Sequence, residues 1–258
     1  MLSTTTLVLA GFVVLFGGLV KGTVGFGYAI ASTALLAVFL SPSTAVVLMI
    51  VPMLVANVSL VRDLDREEIS RCLERFWPYV LSAMVGTALG MVLLDFVRTS
   101  LLTPALGVFT LAYVAVKQPW LVLPGERAVA RYCVRRDTSV KVVLGLLSGV
   151  IFGLSNVAVQ VVAYLDSIDL DRSTFVGVLA MILVGVSGLR VGMAWTFGLY
   201  DGGDLLLYSI GLSVPGLVGV RLGGRLRRVT SERTQLAAVL ILLSVIGVRL
   251  LAAGVGIL

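Results

Sequence analysis

The strongest constraint in this sequence is one pattern that occurs twice: a long apolar segment broken by small and polar residues, then a short polar turn and further apolar runs. The first copy runs from Leu7 to Leu40 through Gly18, Lys21, Gly22, Gly25 and Gly27. The second runs from Val140 to Leu165 through Gly145, Ser148, Gly149, Gly153, Ser155 and Asn156. The turn that follows carries Ser43-Thr44 in the first copy and Ser173-Thr174 in the second. A broken apolar helix leaves backbone N–H and C=O groups without intrahelical partners, and at membrane depth these are tolerated only against protein or a water-filled cavity. Paired broken segments are the plan on which secondary transporters are built, with the ligand at the breaks.

A chain that is 59% hydrophobic and 13% charged, with a mean hydropathy of +1.07, has too little polar surface to cover a soluble domain. The expected fold class is an all-α polytopic membrane protein whose first partner is the lipid bilayer. No basic residue precedes Lys21, so a signal-peptide n-region is missing and the first helix is expected to belong to the mature protein. The net charge of +6 resides in loops between apolar spans, which argues for topology signals and against a nucleic-acid partner. Cys72 and Cys133 fall in arginine-rich stretches expected to be cytoplasmic loops, where thiols stay reduced. Histidine is absent, and all fourteen carboxylates lie in loops or at span ends, Asp95 and Asp166 nearest to membrane depth. No metal site, no cofactor and no enzyme activity are expected, because no nucleophile with a base, acid pair or metal cluster is present.

Six ordinary spans accompany the two broken ones: Ala45 to Val61, Phe76 to Leu94, Leu101 to Val116, Thr174 to Phe197, Leu205 to Val220 and Leu236 to Ile257. Three follow each break, so the chain divides into a first repeat at 1–118, a connecting loop at 119–139 and a second repeat at 140–258. If each broken segment crossed once, Arg62, Arg66, Arg71, Arg75 and the basic residues from Lys117 to Lys141 would face Arg98, Arg172, Arg221, Arg225, Arg227, Arg228 and Arg233 across the membrane. That is a poor charge bias. If each broken segment goes in and returns as a short helix pair, every one of these residues except Arg98 falls on one side. This side is then cytoplasmic and both termini lie outside. An even number of passes plus three makes each half odd, so the repeats are inverted. Each is a broken or re-entrant helix pair plus three transmembrane helices, about eight to ten membrane segments in all. The paired segments are short for untilted spans, which favours re-entrant hairpins or strongly tilted helices.

The first break, Lys21-Gly22-Thr23-Val24-Gly25-Phe26-Gly27, combines close backbone approach at the glycines with a helix start beyond Gly27 and a lysine charge, a chemistry suited to an anion. Lys21 competes with a reading in which it snorkels to the interface, and Gly22, Gly25 and Gly27 with one in which they only allow helix packing. The second break offers Ser155 and Asn156, with Gln160 beyond, as neutral donors to an oxyanion or to the helix's own backbone. Arg190, inside an apolar span, is a further candidate cation, and Asn57 a further amide that otherwise serves as interhelical glue. The pairs Gly86/Gly90 and Gly219/Gly223 are expected to serve helix packing first and a homodimer second.

Gly18-x-x-Lys21-Gly22-x-x-Gly25-Phe26-Gly27, Ser41-Pro42-Ser43-Thr44-Ala45, Ser148-Gly149 to Asn156, and Asp171-Arg172-Ser173-Thr174-Phe175 resemble the TauE/SafE family of sulfite-exporter-like permeases over nearly the whole chain. The resemblance implies a bacterial-type inner-membrane carrier that moves a small inorganic or organosulfur anion, sulfite or a small organosulfonate, generally outward. Many members have Gly-Pro-Pro after the second break where this chain has Asn156-Val157-Ala158, a departure that bears on substrate more than on fold. The expected mechanism is alternating access, the two halves rocking about one anion held near the midplane by Lys21, Ser155, Asn156 and backbone N–H groups. An anion channel and an uptake permease for another organic anion are the alternatives.

Overall fold

The computed structural model describes residues 2–24, 27–61, 66–97, 99–118, 138–156, 158, 161, 164–165, 172–200, 203–226 and 232–254. In chain order the helices are α1 (Thr4–Val24), α2 (Tyr28–Leu36), α3 (Pro42–Leu48), α4 (Ile50–Val61), α5 (Arg66–Phe96), α6 (Thr99–Lys117), α7 (Thr138–Ser155), α8 (Arg172–Thr196), α9 (Asp204–Leu226) and α10 (Glu232–Gly254). Regular structure among the described residues is entirely helical.

Local chemistry sets several of these ends. Ser3 Oγ accepts from the Thr6 N–H at 3.1 Å at the start of α1, and Ser41 Oγ accepts from the Thr44 N–H at 3.2 Å, with Pro42 opening α3. A side-chain oxygen satisfying an orphan N–H, followed by a residue whose φ is already helical, is an efficient start signal. Met49 separates α3 from α4. The groups this junction frees are met from α9: Ser209 Oγ donates to Leu48 O at 2.8 Å and accepts from the Val51 N–H at 3.4 Å.

Six stretches are long and apolar enough to cross a membrane: Thr4–Thr23, Pro42–Ser59, Phe76–Leu94, Thr138–Ser155, Val178–Thr196 and Asp204–Leu226; Ser100–Ala115 and Leu240–Gly254 are shorter apolar helices. The chain is a multi-pass membrane protein. Two expectations change. The first member of the first interrupted pair is not a short hairpin arm, because the 21 residues of α1 extend about 31 Å, a full hydrocarbon thickness. Lys21, Gly22 and Thr23 remain helical and the break comes only after Val24; likewise Gly153 and Ser155 stay inside α7 and the break falls at Asn156. Cys72, placed in a loop from sequence, lies within α5, which starts well before the apolar run; Cys133 lies outside the described residues.

Packing supplies the reason why the glycines do not end these helices. The closest helix pairs are α5 with α7 and α1 with α9, followed by α6 with α10, α4 with α8, α5 with α8 and α4 with α9. Exchanging α1 with α7, α3–α4 with α8, α5 with α9 and α6 with α10 maps this set of pairs onto itself. At the α5–α7 seam a Cβ on Gly153 would lie 2.6 Å from Thr87 O and 2.9 Å from Gly90 Cα. At the α1–α9 seam a Cβ on Gly22 would lie 2.8 Å from Gly224 N and 2.9 Å from Gly223 Cα. Backbones this close exclude any side chain, the geometry that small residues give to membrane helices. Gly86/Gly90 and Gly219/Gly223 are therefore used inside one chain, each against a broken segment of the other half. The interval from Gly22 to Gly153 also separates Gly18 from Gly149 and Val24 from Ser155, so the two broken helices end at matching residues.

The apolar core joins α4 and α8 through Met53, Ala56, Leu179, Ile182 and Val186, with Tyr79 stacked on Tyr164 at 4.7 Å beside it. Outward faces carry Phe12, Leu81, Val85, Val143, Leu207, Val214 and Ile241, side chains for which lipid is the fitting solvent.

Candidate functional site

Two buried cations define the candidate site, and each is paired with an amide instead of an acid. Lys21, in the last turn of α1, is 5% exposed, and its Nζ donates to Oδ1 of Asn57 on α4, itself 1% exposed. The other end of that amide, Asn57 Nδ2, is buried without an acceptor among the described residues. Just beyond α1 the chain turns at Gly27, whose φ of 89° is left-handed and suits glycine, and Gly27 O then accepts from the Ala31 N–H at 3.0 Å as α2 begins.

The second cation is Arg190 on α8, which is 0% exposed. Its Nη1 donates to Asn156 Oδ1, its Nη2 reaches Gly153 O at 3.4 Å, and its guanidinium carbon lies 5.2 Å from the centre of the Phe152 ring. Asn156 terminates α7 with φ 61°, a left-handed conformation that asparagine tolerates better than most residues. From there its Nδ2 donates to Thr33 Oγ1 at 3.1 Å and to Val46 O at 2.9 Å. One side chain thus ties the end of α7 to α2, α3 and α8.

The structure brings together two pairs from the expected residues, Lys21 with Asn57 and Arg190 with Asn156. Val46, which Asn156 touches, and Asn57, which Lys21 touches, lie on one nearly continuous helix pair; at the α-helical rise their anchors are separated by about 16 Å. The expected residues thus form two poles along this helix pair, one at Lys21 and Asn57 and one at Arg190 and Asn156. Asn156 has both amide atoms engaged with protein and orients Arg190. Ser155 Oγ donates to Ile151 O of its own helix at 2.6 Å, one of the two uses expected of it. Gly22 belongs to the α1–α9 seam. Gly25, Phe26 and Gln160 lie outside the described residues.

Sequence reading missed Thr33, Ser187 and Tyr200. Thr33 carried no signal beyond being one polar residue in an apolar run. Ser187 had one: it follows Ser173 by the same interval at which Asn57 follows Ser43. Its Oγ, like Asn57 Nδ2, is buried without a partner among the described residues. Tyr200, 2% exposed in the turn between α8 and α9, also has an unpartnered hydroxyl.

What this arrangement can do follows from its electrostatics. Neither Lys21 nor Arg190 has a carboxylate partner among the described residues, and a buried charge without a counter-ion costs several kcal/mol. Each pole also holds an unused donor among the described residues, Asn57 Nδ2 beside Lys21 and the Nε of Arg190 itself. Buried positive charge with spare donors and no acid is completed by an anion. No group of His, Cys, Asp and Glu suited to a metal occurs among the described residues.

The family model described as "Sulfite exporter TauE/SafE" matches residues 10–250. No curated protein and no solved structure matches the chain.

Proposed function

The chain belongs to the sulfite exporter TauE/SafE family, and on that premise we propose that it is a secondary carrier exporting a small sulfur oxyanion, sulfite or a small organosulfonate, by alternating access. The observation that carries this reading is Lys21: a buried lysine with no acid among the described residues, held by an amide whose own Nδ2 has no acceptor among them. The anion sits against Lys21 Nζ and Asn57 Nδ2 beside the turn at Gly27, where α2 begins. Lysine supplies a point charge that does not dictate ligand shape, and the amide supplies a directed donor. The protein works in the inner membrane with its arginine-rich loops cytoplasmic and both termini outside, and its two repeats, 1–118 and 140–258, are inverted. This orientation places Lys21 and Asn57, near the ends of α1 and α4, toward the cytoplasmic side from which an exporter loads.

Export of an anion needs no coupling ion. Each negative charge leaving a cell with a negative interior gains about 2.3 kcal/mol per 100 mV, a roughly fiftyfold gradient. The test is radiolabelled sulfite flux in proteoliposomes under an imposed potential, with unlabelled sulfite, sulfonates, sulfate and chloride as competitors. Saturable, competitor-ranked flux is expected. Flux that neither saturates nor shows counterflow identifies a channel, and no flux from folded protein rejects sulfite as the cargo.

A further inference from the structure

Arg190 holds a donor that no described residue uses. With Nη1 on Asn156 and Nη2 on the Gly153 carbonyl, the guanidinium is fixed in orientation, and the Phe152 ring covers one of its faces. The Nε–H edge remains, buried and without an acceptor among the described residues. The Tyr200 hydroxyl stands on a ring that packs in one apolar cluster with Val46, whose carbonyl Asn156 holds, and with Leu154 and Val191, chain neighbours of Ser155 and Arg190. It is buried, yet it too has no partner among the described residues. Both are polar donors buried in apolar surroundings, and an oxyanion is a group that accepts from both. No carboxylate takes that place among the described residues.

We propose that Arg190 Nε and the Tyr200 hydroxyl form a second anion site, for a small oxyanion, separate from the pole at Lys21 and Asn57. This rests on the anion-carrier reading above. Arginine presents N–H groups along a planar edge that matches the geometry of an oxyanion, and Tyr200 adds an O–H donor from the turn that joins α8 to α9. Asn156 is the positioning residue, since its Oδ1 holds Nη1 while its Nδ2 is fixed to Thr33 and Val46. The two sites lie toward opposite ends of α3–α4. An anion leaving one therefore meets the other before it leaves the protein.

The test is equilibrium binding of radiolabelled sulfite to the full-length chain in lipid nanodiscs, for wild type, Tyr200→Phe, Arg190→Lys and Lys21→Met. Wild type is expected to bind two equivalents. Tyr200→Phe removes one hydroxyl and no volume, and is expected to weaken one class of sites about tenfold or more, as for a lost hydrogen bond to a charged ligand. Arg190→Lys keeps the charge but loses the Nε donor and is expected to weaken the same class. Lys21→Met is expected to abolish the other class alone. A single equivalent that Lys21→Met abolishes and Tyr200→Phe leaves intact overturns this proposal and spares the Lys21 site. A single equivalent lost in Lys21→Met and in Tyr200→Phe alike means one shared site and also overturns it. One lost in Tyr200→Phe but retained in Lys21→Met supports the Arg190 site and overturns the Lys21 reading. No sulfite binding to folded wild type overturns both.

Discussion

Replacing Lys21 by methionine removes one charge at nearly constant length and apolar volume, so its consequences can be worked out. An oxyanion about 4 Å from Nζ gains about 4 kcal/mol at an effective dielectric of about 20, equivalent to a roughly thousandfold change in affinity. Sulfite counterflow at a concentration near half-saturation of the wild type should therefore fall to background. Stability should move the other way or hardly at all. The loss leaves Asn57 Oδ1 without its donor, at a cost of about 1–3 kcal/mol. It also abolishes an uncompensated buried charge, itself worth several kcal/mol. The measurement is counterflow together with the thermal midpoint of the same preparation in detergent. A folded Lys21→Met protein retaining flux within tenfold of wild type would remove the lysine from the site and refute the argument that its burial reflects an anion.

Other perturbations separate packing from binding. Gly153→Val and Gly22→Val each force a side chain to within 3 Å of a facing backbone and should lower the thermal midpoint sharply, by more than the 1–3 kcal/mol usual for overpacking. Gly188→Ala meets nothing within 4 Å and should be neutral or stabilising by up to about 1 kcal/mol. Asn156→Asp gives Arg190 an internal carboxylate but removes the donor to Thr33 and Val46; its thermal midpoint should fall, and in protein shown to be folded, sulfite competing for that guanidinium should bind at least tenfold more weakly in a nanodisc binding assay. Reversing the potential across proteoliposomes with a potassium gradient and valinomycin should reverse the direction of net sulfite movement, whereas voltage-independent flux would point to an electroneutral cycle.

Much of the fold was legible because membrane insertion imposes few solutions. Apolar length located the long spans, and the repeated Ser-Thr turn matched α3–α4 to α8. Glycine was the ambiguous letter. Gly22, Gly25 and Gly27 looked alike in sequence, yet Gly22 lies in a helix seam while Gly27 turns the chain, because a tight approach and a left-handed φ both exclude a side chain for different reasons. Only the neighbour across the seam, distant in sequence, tells them apart. The cations were visible as charges inside apolar runs. Their partners were not: Asn57 and Asn156 could each have faced ligand, backbone or another helix. That Asn156 spends its amide on Thr33, Val46 and Arg190 depends on the crossing of four elements, which no local pattern encodes.

Those crossings also bear on what moves. Rocking of two intact halves would require α1 to part from α9 and α5 from α7, the two closest-packed pairs in the molecule. Both seams join a helix of one half to a helix of the other, and both have backbone-to-backbone contact along their length, an arrangement that slides poorly. The weaker boundaries lie between these pairs, along α4 and α8, where Asn57 and Arg190 sit. The bodies expected to move are therefore α1 with α9 and α5 with α7, turning against the α4–α8 centre, so that each motion opens one buried cation and closes over the other. Spin labels on the exposed positions Phe12 and Val214, and on Leu81 and Val143, report the distance within each pair once Cys72 and Cys133 are replaced by serine. Both within-pair distances should be unchanged by saturating sulfite, while the Phe12 to Leu81 distance between pairs shifts by several ångströms. A change within the α1–α9 or α5–α7 pair, with the between-pair distance fixed, would restore rocking of the sequence halves and rule out motion by cross-half pairs.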